Sequence, residues 1–269
     1  MNADLDQSTL EHALADLPIP AVRWQAVTGS TNDDALAWAA AGAPDGALVA
    51  ANQQTNGRGR LARQWVTQPG AALAFSLVLH PQAIDASLLP QYALLGGLAV
   101  CLSLEALGAA GQAAIKWPND VLLNGRKVCG VLAEARWQGE APQVVVLGIG
   151  VNVAPGSVPP PESVRFPAGS VSEELGFPVD RLALLGDILR HLFAWRDRLG
   201  KPDFLAAWET RLAFRGGCIR VSLPDGKHLS GLLEGVDPQG ALHLRKANGD
   251  LVEVLAGDVS LRPATPPSN

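Results

Sequence analysis

The spacing of hydrophobic and polar positions predicts most of the elements of this chain. Up to residue 212, runs with strand spacing are mixed with segments that repeat apolar residues at helical spacing. The predicted strands are 21–27, 47–51, 72–79, 113–117, 121–123, 127–137 and 143–153. The predicted helices are 35–41, 87–107, 180–199 and 202–212. These elements form a first domain, residues 1–212.

Three local signals mark the ends of predicted elements. Thr31 can cap the helix that follows it, with Asp34 as the second member of a capping box. Ser30 and Thr31 then either only start a helix or also present hydroxyls at a pocket mouth. Pro118 stops the strand before it. Asn124-Gly125 stands between two strands, which is the strongest short-range signal for a β-hairpin.

From residue 216 onward the pattern changes to short strands separated by turns rich in glycine, proline and aspartate. The predicted strands are 218–223, 228–235, 241–244 and 251–255. Several short strands with turn signals between them are typical of a small barrel. We expect a second domain, residues 213–269, with a frayed tail.

Composition and charge narrow the function classes. Of the 269 residues, 48% are hydrophobic and 17% are charged, which is typical of a compact globular protein. No apolar run approaches the roughly eighteen residues of a membrane span, and no basic, apolar leader is present, so we expect a cytoplasmic protein. A net charge of −5 argues against general nucleic-acid binding. Cys101, Cys129 and Cys218 lack metal-ligand spacing and predict reduced core thiols.

A loop between two predicted core strands is the first candidate for chemistry. It carries Arg58, Arg60 and Arg63, and Gly57 and Gly59 free the backbone around them. Each guanidinium offers a planar fork of donors that matches phosphate or carboxylate oxygens. The pattern predicts an anion-binding loop that is mobile until the anion arrives. A solvated basic loop is the alternative.

Two further segments are candidates for a site, because one has a lysine and the other has glycines within an apolar strand. Lys116 lies in a strand where it must find an anionic partner or lose its charge, and Asn119 and Asp120 follow directly. A solvated lysine at a strand end is the alternative. Gly148 and Gly150 let a ligand lie against the backbone, although a glycine-containing core strand has the same pattern.

Common site patterns are missing from the sequence. It has no Walker A loop, dinucleotide fingerprint, Gly-x-Ser-x-Gly elbow or zinc-ligand cluster. The remaining candidates are cationic. The three arginines and Lys116 suit a site that binds a carboxylate and a triphosphate and stabilises a phosphorus-centred transition state.

Five motifs, in this order, resemble those of biotin protein ligases. They are Gly29-Ser30-Thr31-Asn32, Gln54 with Gly57-Arg58-Gly59-Arg60, Lys116-Trp117-Pro118-Asn119-Asp120, Gly130-Val131-Leu132 with Glu134, and Gly148-Ile149-Gly150-Val151-Asn152. The resemblance covers roughly residues 25–262. It implies an α+β fold of the class II aminoacyl-tRNA-synthetase-like biotin/lipoate ligase type. This fold has a mixed central β-sheet flanked by helices and a small C-terminal all-β Src-homology-3-like barrel.

The resemblance also implies a reaction. Biotin and ATP give biotinyl-5′-AMP and pyrophosphate, and biotin is then transferred to a lysine of a carrier domain. The implied catalytic residues are Lys116, Arg58 and Arg60. The implied biotin-binding residues are Ser30, Thr31, Asn32, Gln54, Gly57, Arg58, Arg60, Lys116, Gly130, Leu132, Gly148 and Gly150. The implied ATP-binding residues are Arg58, Arg60, Arg63, Trp65, Lys116, Asn119 and Asn152, where Trp65 stacks on adenine. Mg²⁺ accompanies ATP, with its protein ligands unknown.

The implied partner is the biotin carboxyl carrier protein or domain of acetyl-CoA carboxylase or a related carboxylase. Only 28 residues precede Gly29, so we expect the monofunctional type, without an N-terminal DNA-binding domain. We expect no DNA operator and no membrane partner, and a homodimer stays open. Two alternatives remain. A lipoate ligase shares the fold and a catalytic lysine, and a nucleic-acid-binding regulator would use the arginine loop.

Overall fold

Two β-sheets and a set of helices make up the described part of the protein. The computed structural model describes residues 5–60, 63–81, 86–164, 166–223 and 225–255. Within them, seven strands form one sheet and four form a second. The α-helices are α1 (Gln7–Ala13), α2 (Thr31–Ala40), α3 (Pro90–Leu104), α4 (Val171–Leu175), α5 (Arg181–Arg196) and α6 (Pro202–Glu209). The predicted frayed tail lies outside the described residues.

The larger sheet is mixed, with one parallel pair at its edge. Its strands are β1 (Val22–Thr28), β2 (Leu48–Gln54), β3 (Ala72–Leu79), β4 (Ala113–Lys116), β5 (Asp120–Leu123), β6 (Arg126–Gln138) and β7 (Ala141–Asn152). They lie in the order β1-β2-β3-β7-β6-β5-β4; β1 is parallel to β2 and every other pair is antiparallel. The two glycine-bearing strands, β6 and β7, therefore lie next to each other near the middle of the sheet.

Helices cover both faces of this sheet. Alternate residues of the strands face opposite sides, so Leu48 packs toward α3 and α5 whereas Val49 packs toward α2. Helix α3 approaches the sheet closely at Gly96, where an added Cβ would lie 2.7 Å from Val131 Cγ1. Among the described helices, one segment, Ala86–Ala109, is long and apolar enough to cross a membrane. However, 67% of its apolar window is buried within the fold, as in a core helix.

The second sheet is antiparallel throughout. Its strands are β8 (Cys218–Ser222), β9 (His228–Val236), β10 (Leu242–Arg245) and β11 (Leu251–Val254), in the order β11-β10-β9-β8. These bounds confirm the four short strands that the sequence predicts. Their alternating burial follows from one face packing on the core.

Side chains of the first part of the chain hold the second sheet in place. The indole Nε1 of Trp117 donates to the carbonyl of Gly240 at 2.7 Å. The carboxylate of Glu209 accepts from the backbone N–H of Val236 at 3.0 Å. Trp117 directly follows Lys116, so the second sheet is bonded to the segment that carries this lysine.

The predicted hairpin is confirmed, with positive φ at both turn residues, 50° at Asn124 and 77° at Gly125.

The predicted N-cap of α2 is wrong by one residue. Ser30 is the N-cap of α2, and the carboxylate of Asp34 accepts from Thr28 Oγ1 at 2.6 Å. Asp34 therefore tethers the end of β1 and does not close a capping box.

The prediction of three core thiols is confirmed for two cysteines. Cys101 and Cys129 are buried, but Cys218 is exposed. Strand β8 alternates exposed and buried residues, and Cys218 lies on its exposed face. Periodicity alone did not reveal which face of this strand would be covered.

Candidate active site

A cavity of about 960 Å³ lies between the central strands, the loop after β2 and the second sheet. It collects every site residue predicted from the sequence except Gly57. The predicted residues that line it are Ser30, Thr31, Asn32, Gln54, Arg58, Arg60, Arg63, Trp65, Lys116, Asn119, Gly130, Leu132, Gly148, Gly150 and Asn152. Residues far apart in the chain therefore form one site.

One end of the cavity is neutral, polar and buried. Ser76 Oγ lies 2.6 Å from Asn32 Oδ1 and 2.8 Å from Thr31 Oγ1. The side-chain oxygen of Gln54 accepts from the backbone N–H of Thr31 at 2.8 Å. Ser30, Thr31 and Asn32 are each less than 5% exposed. This end suits an uncharged ligand group that both donates and accepts hydrogen bonds.

The glycines of β6 and β7 let side chains lie against the backbone of the sheet. A Cβ added to Gly148 would lie 2.0 Å from Asn32 Oδ1. A Cβ added to Gly150 would lie 2.3 Å from the indole of Trp65, and one added to Gly130 would lie 3.0 Å from it. The glycines thus provide room for Asn32 and Trp65 as well as for a ligand.

Lys116 lies at the end of β4 and faces Asp120 across a tight hairpin. Its Nζ lies 3.2 Å from Asp120 Oδ2, and the Nζ of Lys127 lies 2.6 Å from Asp120 Oδ1. Burial lowers the pKa of Lys116 below its ordinary value, although Asp120 opposes this effect. Burial works to raise the pKa of Asp120, but the two ammonium groups outweigh it and hold that pKa below its usual value. The anionic partner that a buried lysine requires is therefore Asp120.

The loop after β2 is a hydrogen-bonded turn in its described part. Arg58 and Gln64 form an antiparallel bridge, and the N–H of Gly59 donates to the carbonyl of Arg63 at 2.7 Å. Gly57 does not line the cavity. An added Cβ there would lie 2.5 Å from the carbonyl oxygen of Trp65, so this glycine allows the two sides of the turn to approach.

The arginines of this loop differ in their partners. Arg58 makes two hydrogen bonds of 2.9 Å to the carboxylate of Glu134 and one of 2.5 Å to Asp33. The hydrogen bonds to Glu134 raise the pKa of Arg58. The side chain of Arg60 has no hydrogen-bond or ion-pair partner within the described part of the chain, and burial lowers its pKa, opposed by Asp120. Arg60 is therefore the better candidate for a bound anion.

Two predicted nucleotide residues already use their amide nitrogens. Asn119 Nδ2 donates to the carbonyl of Val131 at 2.7 Å, and Asn152 Nδ2 donates to that of Gly169 at 3.2 Å. Both side chains tie loops to the sheet, and their amide oxygens remain as ligand acceptors.

Sequence reasoning did not identify several residues that line the cavity. The Phe166 ring lies 5.4 Å from the Nζ of Lys116, in a proline-rich segment for which the sequence predicts no helix or strand. Arg220, Ser222 and His228 reach the cavity from the second sheet. No local pattern signals such a contribution, because it depends on how the two sheets pack.

Comparison with known proteins gives one consistent family. Residues 24–152 match the model of the Biotin/lipoate A/B protein ligase family. A biotin–[acetyl-CoA-carboxylase] ligase of Paracoccus denitrificans is 41% identical over 236 residues, which cover 82% of this chain and 93% of that protein. The chain belongs to the biotin protein ligase family. A ligase of the same name from Mycobacterium tuberculosis is 36% identical over 239 residues, covering 87% of this chain and 86% of that protein.

Both sheets correspond to parts of a biotin protein ligase. Residues 219–262 match the Biotin protein ligase C terminal domain. A solved structure of the biotin protein ligase from Aquifex aeolicus, in complex with biotin and ATP, has a TM-score of 0.76 and 28% identity. It matches 91% of this chain and 100% of that one. The expected biotin/lipoate ligase fold with a small C-terminal all-β unit is therefore confirmed.

Proposed function

We propose that this chain is an ATP-dependent biotin ligase. It joins the carboxylate of biotin to AMP, releases pyrophosphate and transfers biotin to a lysine of a biotin carboxyl carrier protein or domain. The observation that carries this proposal is the single cavity, which joins a neutral polar end to a buried lysine and a half-buried arginine. The 41% identical relative named as a biotin–[acetyl-CoA-carboxylase] ligase supports the choice of substrate.

We place the biotin bicycle at the neutral end of the cavity. Its ureido group both donates and accepts hydrogen bonds, as the hydroxyl and amide side chains there require. The proposed contacts to this group are Ser30, Thr31, Asn32 and Gln54. The proposed walls around the bicycle and its tail are Gly130, Leu132, Gly148 and Gly150.

In the first half-reaction, a carboxylate oxygen of biotin attacks the α-phosphorus of ATP, and the bond to the β-phosphate oxygen breaks. Two anions must approach each other, so a cation between them lowers the barrier. We assign this role to Lys116, which is 6% exposed and therefore acts in a poorly hydrated environment. When the anions bind, they favour the charged form of the lysine and oppose the effect of burial.

We assign the phosphates to Arg60 and Arg63, both at the cavity wall. Arg60 carries a charge that no described carboxylate pairs with. Arg58 was expected to share this role, but two carboxylates already compensate its charge.

The adenine contacts are proposals as well. The ring of Trp65 lies against Gly130 and Gly150, which makes it a wall of the biotin slot and weakens the expected stacking on adenine. Phe166 also lines the cavity, with its ring 5.4 Å from the Nζ of Lys116, and we propose that this ring stacks on the base. The amide oxygens of Asn119 and Asn152 complete the proposed nucleotide contacts.

Mg²⁺ enters this proposal as part of the ATP substrate. Of the described residues that line the cavity, Asp120 is the one carboxylate, and both of its oxygens face lysines. These donors do not make a protein-held magnesium site. The phosphate oxygens of ATP would hold the ion, which would screen pyrophosphate as it leaves.

In the second half-reaction, the ε-amine of the acceptor lysine attacks the acyl carbon of biotinyl-5′-AMP, and AMP leaves. We propose that the acceptor belongs to acetyl-CoA carboxylase or a related carboxylase, that the enzyme is cytoplasmic and that it needs neither DNA nor a membrane. We also propose that residues 1–212 form the catalytic unit and residues 213–269 the C-terminal unit.

The purified chain with ATP and a biotin carboxyl carrier fragment tests the function. We expect mass spectrometry to show biotin on one lysine of the fragment, and pyrophosphate exchange that depends on biotin. Lipoate in place of biotin should give neither signal. Lipoylation without biotinylation would make the chain a lipoate ligase, and absence of both would refute the proposal.

A further inference from the structure

The guanidinium of Arg58 is bound by two carboxylates from different elements, Asp33 and Glu134, which together we call the seat of Arg58. Glu134 comes from β6 and binds the guanidinium with both oxygens, and Asp33 comes from the first turn of α2. The same Glu134 accepts from Asn32 Nδ2 at 2.8 Å. The seat is therefore joined to the neutral end of the cavity by one side chain.

The seat fixes the backbone from which Arg60 enters the cavity. Arg58 pairs with Gln64 across the turn, and Gly59 bonds back to Arg63. Only Gly59 separates Arg58 from Arg60. Holding Arg58 thus restricts the position of Arg60, whose side chain is half-buried and lacks a described partner.

Both carboxylates of the seat come from the protein itself. Two anions around one cation cancel the repulsion that three arginines in one short loop create among themselves. This compensation lowers the free-energy cost of holding the loop in the arrangement that brings Arg60 into the cavity.

We propose that Asp33 and Glu134 are positioning residues for adenylation, which hold Arg58 and thereby keep Arg60 in the cavity. This inference rests on the proposed function. It changes the role of Arg58 from a phosphate ligand to the anchor of the loop.

The chain offers a matched control for Asp33. Asp34 lies in the same first turn of α2 and carries the same charge, but it accepts from Thr28 Oγ1 and has no described bond to Arg58. Asp33→Asn and Asp34→Asn each remove one negative charge, and both change the electrostatic potential at the N-terminus of α2 in the same direction. Only Asp33→Asn removes a carboxylate from the seat.

The first experiment is trypsin cleavage of the Arg58–Gly59 bond in the ligand-free protein, followed by mass spectrometry. Trypsin must draw the Arg58 guanidinium into its own pocket, so the seat competes with it directly. Because these groups are partly exposed, we expect cleavage about three- to fivefold faster in Asp33→Asn than in wild type. Asp34→Asn should match wild type. Glu134→Gln should be faster still, because it loses the bidentate pair.

The second experiment measures biotin-dependent pyrophosphate exchange in the same proteins. We expect kcat/KM for ATP to fall by about three- to fivefold in Asp33→Asn, to stay near wild type in Asp34→Asn and to recover in Asp33→Glu. Raising salt should speed the cleavage of wild type more than that of Asp33→Asn, because screening weakens both ion pairs of wild type but only the remaining Glu134 pair of the variant.

Equal cleavage of wild type, Asp33→Asn and Asp34→Asn would overturn the seat. Faster cleavage of Asp33→Asn with unchanged exchange kinetics would overturn the positioning role. The cleavage experiment needs no ligase activity, so a wild-type protein without exchange activity would refute the proposed function and leave the seat standing. Should Glu134→Gln fail to fold, Asp33→Asn still decides the question.

Discussion

The indole ring of Trp65 lies so close to the backbone at Gly150 that no Cβ fits between them. A Cβ on Gly150 would come within 2.3 Å of the ring. The indole Nε1 is buried and has no hydrogen-bond partner among the described residues. A buried donor without a partner is costly, and a ligand oxygen in the slot would satisfy it.

Gly150→Ala tests this packing. The added methyl must displace the ring of Trp65, so we expect biotin affinity to fall by about tenfold, on the scale of other overpacked sites. Isothermal titration with biotin measures the effect. Gly29→Ala is the control, because an added Cβ there meets nothing within 4 Å. Equal affinities for the two variants would show that the ring is not confined by Gly150.

Lys116→Ala should lower the rate of adenylate formation by about 100-fold while the fold survives, as expected for the loss of a group that stabilises developing charge. Lys116→Arg should not restore it, because a planar fork does not replace a point charge in a buried site. Pyrophosphate exchange measures both variants. Lys201→Ala, at an exposed lysine, is the control. Near wild-type exchange in Lys116→Ala would remove this lysine from the mechanism.

The sequence predicted which residues belong to the site better than it predicted which of them contact one another. Lys116 lies in an apolar strand, so the sequence predicted that it is buried and needs an anionic partner. That partner is Asp120, which belongs to the same motif. The partners of Arg58 could not be predicted in this way. Glu134 lies 76 residues away in the chain and Asp33 lies 25 residues away. Only the packing of β6 against the helix start brings them together.

The second sheet shows the same limit. Its short strands followed from turn signals and alternating apolar residues, which are local properties. Its contribution of Arg220 and His228 to the cavity depends on how the second sheet packs against the first part of the chain, which no local pattern encodes. The exposure of Cys218 has the same origin, since a strand's spacing does not tell which face the rest of the protein covers.

The pH dependence of the adenylation rate should reflect the protonation state of the buried Lys116. Lys116 is charged below its pKa, and burial lowers that pKa from 10.5, so the ammonium is lost at a lower pH than in an exposed lysine. The profile of kcat/KM, which reflects the free enzyme, should therefore fall on the alkaline side below pH 10.5. Over the same window the unfolded chain binds more protons, so this group makes the protein more stable as pH rises.

Asp120→Asn should move the alkaline limb of that profile to lower pH. The carboxylate of Asp120 favours the charged form of Lys116, and its removal leaves the effect of burial unopposed. Asp187→Asn, on α5, is the control for loss of a carboxylate away from the cavity. A limb that stays in place or moves to higher pH would contradict the assignment of the limb to Lys116.

The bond between Trp117 and Gly240 can be isolated by a pair of identical substitutions. Trp117 and Trp208 are 2% and 0% exposed, but only the indole of Trp117 has a hydrogen-bond partner among the described residues. Trp117→Phe and Trp208→Phe both leave a small cavity, and Trp117→Phe also leaves a buried carbonyl unpaired. We expect Trp117→Phe to lower the free energy of unfolding by about 1–2 kcal/mol more than Trp208→Phe, measured by urea denaturation.

Trp117→Phe should also slow adenylation more than Trp208→Phe does, because Trp117 adjoins Lys116 and holds it to the second sheet. Pyrophosphate exchange at saturating biotin and ATP measures this, so that weaker substrate binding does not mask the effect. A loss of stability without a loss of kcat would show that the hydrogen bond between Trp117 and Gly240 has only a structural role. A loss of kcat in both variants alike would attribute the effect to core packing and not to the hydrogen bond.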